Sequence, residues 1–209
     1  DPAVELGAHL RELDPVVDAL GLPEVLQDVR PDPATPPVWV PYIKKGIVEW
    51  QEAFEAAGFK NAIVAREVTP DDREFDIDDV RYSVVTYAAS EMANAMGPSV
   101  IDPRSGEIIE ADIIWWHNVK SLLREWIMVQ TGAYNKEARQ YELPEALIGD
   151  AARFVACHEV GHSLGLRHNM IASNAYPTDS LRSKSFTDHV CGTAASIMDY
   201  ARFNYVAQP

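Results

Sequence analysis

The run HEVGHSLGLRHN, residues 158–169, gathers three imidazoles and one carboxylate into a single short stretch. His158 and His162 stand four apart. On a helix such residues project from one face, about 6 Å apart along the axis, so two neutral imidazoles placed this way can reach one metal ion. His168 follows six residues later. On a continuing helix it would be rotated by roughly 240° and carried about 9 Å along the axis. The chain must therefore turn back between 162 and 168. Gly165 is the residue for that turn, because glycine accepts the left-handed conformation that ends many helices. Three histidines leave one tetrahedral position open, the mark of a catalytic rather than a structural zinc site. Zinc brings the pKa of a bound water from ~15.7 to ~7. A neighbouring carboxylate, here Glu159, can accept that proton and return it to a leaving amine. A lone histidine on a helix is usually a packing or surface residue, and H-E-x-x-H alone arises by accident. The pattern of His158, Glu159, His162, Gly165 and His168 is far more specific.

A metal site needs rigid carriers. The pattern predicts a helix from about Glu145 to Leu164, with Pro144 suited to its first turn. Between Ala146 and Cys157 only Asp150 and Arg153 are charged, so this helix is expected to be buried around most of its circumference. Upstream, Ile43, Ile47, Trp50, Phe54 and Ala57 recur at steps of three and four. They predict an amphipathic helix over 42–57 that Gly58 ends. Strands are expected at 62–68 and at 80–87, the second from its β-branched and aromatic content. The acidic stretch 69–79 between them is read as a solvated loop rather than a calcium site, since the glycine of an EF-hand loop is missing.

Residues 101–116 read as two extended arms around a Pro/Gly turn. The second arm, Glu107 to Trp115, is either a sheet edge open to an extended peptide or an ordinary interior strand. Residues 117–140 are predicted helical, burying Leu122, Leu123, Trp126 and Ile127. Residues 1–30 look helical and polar, and the proline-rich RPDPATPPVWVP that follows reads as an extended linker. A boundary is placed there, giving an N-terminal segment 1–37 and a main domain 38–209. The leading segment has no cysteine, which excludes a thiol latency switch within it.

Composition bounds the rest. The chain has 209 residues, 47% hydrophobic and 24% charged, as expected for one globular domain with a sizeable core. No apolar run approaches the ~20 residues of a membrane span. A formal net charge of -14 argues against nucleic acid or an anionic membrane as partner. The chain begins Asp-Pro-Ala without a signal peptide, as a mature or excised fragment would. Cys157 and Cys191 make no disulfide framework. Cys157 reads as a small buried hydrophobe, and a Cys157–Cys191 bridge stays open as an alternative. His9, His117 and His189 lie outside the zinc pattern and read as ordinary residues.

Downstream lies SIMDYARFNY, residues 196–205. With this second marker, His158, Glu159, His162, Gly165, His168 and Met198 resemble the pattern of the metzincin metallopeptidases. In that clan a tight turn carrying a methionine packs beneath the three histidines, and Met198 matches it. Where a tyrosine follows two residues later it approaches the zinc and can ligate it or hydrogen-bond the tetrahedral intermediate. Tyr200 matches that position, which puts the chain nearer the astacin and serralysin type than the matrixin type, where a proline stands there. Over roughly residues 38–209 the chain is similar to a group of large bacterial zinc-dependent metalloproteases with a Met-zincin catalytic domain. The stretches GIVEWQEAFEAAGFK, VRYSVV, DPRSGEIIEADI, HEVGHSLGLRHNM and SIMDYARFNYVAQP carry that similarity.

The resemblance implies an α+β metzincin-like fold. A twisted mixed sheet would pack on an amphipathic helix and a buried active-site helix in an upper part, 38–165. A small irregular lower part, 166–209, would carry the methionine turn. It implies Zn2+ as cofactor, held by His158, His162 and His168, with Glu159 and Tyr200 catalytic and Gly165 and Met198 as structural support. A peptide or protein would be the substrate, and the protein would be exported and bacterial, with further domains in a longer parent chain. Only nine residues follow Tyr200, so the clan's usual C-terminal helix is expected to be cut off. Asn169 stands where several clan families carry an acidic residue. Asp199 is read as a structural group bonding backbone within its own turn. The rival readings are a zinc-supported interaction module without turnover and a hydrolase of non-peptide amides or esters.

Overall fold

The computed structural model describes residues 27–208. The helical reading of residues 1–26 lies outside the described residues. Gln27–Pro31, expected in the N-terminal helical and linker segment, forms strand β1 instead. It pairs in parallel with β2 (Ile63–Ala65) on one side and β3 (Ser83–Ala88) on the other. Val29 is buried between them, and this long-range pairing overrides the local helical preference. The folded unit therefore includes residues upstream of the boundary expected at 37/38.

The proline-rich stretch after β1 is a connection within that unit rather than a linker. The buried Asp32 carboxylate accepts from Ala34 N at 2.7 Å and from Tyr87 N at 3.0 Å, which pins the turn to β3. Helix α1 (Val40–Val48) follows, with proline in its first turn. A break at Glu49 separates it from α2 (Trp50–Ala56), so the single helix expected over 42–57 is two. Gly58 ends the pair at a φ of 95°.

The acidic loop 69–79 is made of turns and is tied to the sheet by one of its own carboxylates. Asp72 pairs with the buried Arg30 of β1 at 3.1 Å, and Arg30 also lies over the Tyr82 ring at 4.7 Å.

β4 (Ala95–Met96), β5 (Val100–Ile101), β6 (Ile108–Glu110) and β7 (Ile113–Trp116) come next. β5 and β6 form a separate antiparallel hairpin. The arm Glu107–Trp115 is thus split, and its second half, β7, is an interior strand. The main sheet runs β2-β1-β3-β7-β4, parallel except for β4, which pairs antiparallel with β7 and forms one edge. Asp112, just before β7, accepts from Val84 N of β3 at 2.8 Å.

Helix α3 (Val119–Thr131) buries Val119, Leu123 and Ile127. It stops nine residues before the predicted end, and a 3-10 turn at Glu137–Arg139 follows. Helix α4 (Glu145–Ser163) agrees with the sequence expectation at both ends. Ile43 and Ile47 of α1 and Ala152, Ala156 and Val160 of α4 join Val29, Val85, Ile113 and Trp115 of the sheet in one core. Beyond α4 the chain is irregular, with a 3-10 turn at Met170–Asn174 and the short helices α5 (Thr178–Leu181) and α6 (Lys184–His189). A mostly parallel sheet with helices, followed by an irregular C-terminal part, is the α+β metzincin-like architecture. Among the described residues no helix is long and apolar enough to cross a membrane.

Candidate active site

α4 presents His158 and His162 on one face and ends as the spacing predicts. Gly165 has φ 88°. Leu166 N donates to Gly161 O at 3.0 Å and Gly165 N to His162 O at 2.9 Å, the paired bonds of a Schellman cap. The cap reverses the chain and brings His168 back. His168 Nε2 lies 3.3 Å from His158 Nε2 and 3.0 Å from His162 Nε2.

These nitrogens cannot all be satisfied by one another. His158 Nδ1 donates to Ile197 O at 2.7 Å and His162 Nδ1 donates to Leu166 O at 2.8 Å. A carbonyl only accepts, so each ring carries its proton on Nδ1 and turns a bare Nε2 lone pair inward. Burial, opposed by the Ile197 carbonyl and aided by the neighbouring positive groups, also lowers the pKa of His158. Burial lowers that of His168 in the same way. Two nitrogens each ~2.0–2.1 Å from a tetrahedral zinc would stand about 3.3–3.4 Å apart. The observed separations and the tautomers fit that ion. Among the described residues these three form the only group of three or more His, Cys, Asp or Glu side chains able to hold a metal.

Glu159 is 8% exposed. Burial pushes its carboxyl above the usual range, while the charge of His162 and a hydrogen bond from the Gly97 backbone pull it back. It lines one cavity of about 280 Å³ together with the three histidines and Tyr200. The Tyr200 ring centroid lies 4.4 Å from that of His168 and 5.6 Å from that of His158.

Met198 is 3% exposed and packs against Gly161 on α4. Its carbonyl accepts from Asn169 N at 2.9 Å, which couples the segment bearing His168 to the methionine turn. Asp199 is buried, but its bonds leave its own turn. Its carboxylate accepts from Ser173 N at 2.7 Å and Ser173 Oγ at 2.8 Å.

Cys157 is buried and Cys191 exposed, and both are free thiols. Burial beside Glu49 pushes the Cys157 thiol up to about 12. His117 bonds Tyr87 through Nδ1 and stands apart from the triad, and His9 lies outside the described residues.

The sequence reading missed two contributors. One is β4, whose Asn94–Met96 neighbourhood lines the cavity and whose two residues are too few for any periodic signal. The other is Arg202, which lines the cavity from a backbone φ of 57° that side-chain type does not announce.

Comparison with curated proteins and with solved structures finds no match. A family model does match, over the part of the chain that runs from just before α4 through the methionine turn. That match and the close histidine triad point to a zinc metallopeptidase. Residues 140–209 match the model of a family described as Met-zincin.

Proposed function

We propose that the protein is a zinc-dependent endopeptidase. The observation that carries this reading is the convergence of three Nε2 lone pairs from His158, His162 and His168, two of them fixed in tautomer by backbone carbonyls. His158, His162 and His168 would hold the zinc, which when bound would supply Lewis acidity toward a peptide carbonyl and let water lose a proton near neutral pH. The Glu159 carboxylate takes that proton and carries it to the leaving nitrogen. The Tyr200 hydroxyl donates a hydrogen bond to the developing oxyanion, a contribution of a few kcal/mol.

The substrate docks as an extended strand. The edge of the sheet beside the cavity is β4 rather than the arm 107–115, and its free backbone groups can pair with a peptide. Export from a bacterial cell belongs to the same proposal and rests on the family resemblance alone.

Glu159→Gln tests the assignment, because it preserves shape and removes the base. Zinc content should stay at the wild-type level while peptide cleavage falls by about 10²–10⁴-fold. Cleavage at the normal rate by that variant would remove Glu159 from the mechanism.

A further inference from the structure

The cavity that holds the histidines has one cation whose role the chemistry above does not use. Arg202 sits at a φ of 57°, a backbone region that non-glycine residues rarely adopt. Neighbouring bonds hold the segment in place: Phe203 N donates to Gln130 Oε1 at 3.2 Å, and Tyr134 Oη donates to Asn204 O at 2.7 Å.

The guanidinium carbon lies 3.6 Å from the Trp126 ring centroid and 4.5 Å from that of Tyr200. Both rings lie within cation–π range of the guanidinium, and a π system takes up part of its charge without satisfying its N–H donors. Among the described residues it has no ion pair and no hydrogen bond, although the chain carries 32 acidic residues. Glu159 is the only carboxylate lining the cavity and is not paired with it. The remaining wall is largely apolar, including Val119, Leu122 and Phe154. A half-buried, desolvated, unpaired guanidinium at an apolar wall is a site for a carboxylate on a short apolar stem.

We infer that Arg202 determines specificity by binding a carboxylate of the substrate in this cavity. The inference rests on the peptidase reading for its substrate class. The carboxylate comes either from an Asp or Glu side chain near the scissile bond or from the C-terminus of a short substrate. Both present the same group to the guanidinium.

The test gives zinc-loaded protein a peptide mixture in two forms, with free and with amidated C-termini, and sequences the products by mass spectrometry. Wild-type protein should favour a carboxylate at one fixed position from the cut by about tenfold. Enrichment of Asp or Glu that persists in the amidated set assigns the side chain. Cutting at a fixed distance from a free end, lost on amidation, assigns the terminus.

Arg202→Gln should erase the preference with zinc content and far-UV circular dichroism unchanged, Arg202→Lys should keep part of it, and Arg202→Glu should turn it toward Lys and Arg. Cleavage without a carboxylate preference, or a preference that survives Arg202→Gln, overturns the inference and leaves the peptidase reading standing.

If no peptide is cut, the peptidase reading fails and binding decides the rest. The zinc-loaded protein is then titrated with N-acetyl-glutamate amide and N-acetyl-glutamine amide, following tryptophan fluorescence because Trp126 lies against the guanidinium. About tenfold tighter binding of the acidic probe, lost in Arg202→Gln, upholds the carboxylate site. Equal binding of the two probes, or a difference that Arg202→Gln leaves intact, overturns it.

Discussion

The Met198 sulfur occupies the space that a β-carbon on Gly161 would need, with Trp50 Cζ2 a further 2.9 Å neighbour of that position. The residue between the two ligand histidines' turns is therefore glycine because methionine lies against the helix there. Gly161→Ala forces Met198 or α4 to move, and overpacking of this kind costs about 1–3 kcal/mol. Met198→Ala opens a cavity at about 2–5 kcal/mol. The double variant should cost clearly less than the sum, because the new methyl enters the vacated space. Urea unfolding of the four proteins measures this, and strict additivity would show that the two residues do not share that space.

Gly165 sits at φ 88° and a β-carbon there would lie 3.3 Å from Ile108 Cδ1. Gly165→Ala should cost about 1–2 kcal/mol from the left-handed backbone alone. It should also weaken zinc binding, because the cap that aims His168 is the strained element. Thermal melts and zinc titration check the two effects separately. A variant with normal zinc affinity would show that His168 reaches its place without this cap.

Removing metal should destabilise the fold through mass action. A ligand at 100 times its Kd stabilises by about 2.7 kcal/mol, so a chelator should lower Tm and added zinc should restore it. His168→Ala, which removes one of three converging nitrogens, should abolish most of that response. A melting temperature indifferent to chelator and zinc would count against a metal at the triad.

Asp112 offers a pH test away from the site. Burial pushes its carboxyl above the usual range, helped by Glu110 and Asp78 and opposed by the hydrogen bond from Val84 N. A raised pKa in the folded state means that folding favours the protonated form. That stabilisation is present below the unfolded pKa and is lost as pH rises through the folded one. Asp112→Asn keeps an oxygen for Val84 N and removes the buried charge. It should therefore be more stable than wild type at pH 8, with the margin shrinking toward about pH 4. A constant margin across that range would assign the effect to packing.

Much of the site was legible because it is local. His158, Glu159, His162, Gly165 and His168 lie within one helix and its cap, where the period of 3.6 residues and the φ demanded of a glycine constrain geometry directly. The bounds of α4 followed from its apolar run and Pro144, and the resemblance singled out Met198 and Tyr200. What the residue pattern misjudged depends on partners far along the chain. Val29 is in a strand because β2 and β3 flank it, against the helical look of its neighbours. The arm 107–115 is divided because half of it finds β5 and the other half β3. Asp199 bonds Ser173 rather than its own turn.

Sequence by itself determined which groups can bind a metal and the turn that folds them back, since both are short-range consequences of spacing and backbone sterics. Only the tertiary structure decided which strand forms the open edge, which carbonyls fix the imidazole tautomers and which cation faces the cavity. Those are set by pairing and packing between segments tens of residues apart, where side-chain type alone carries no address.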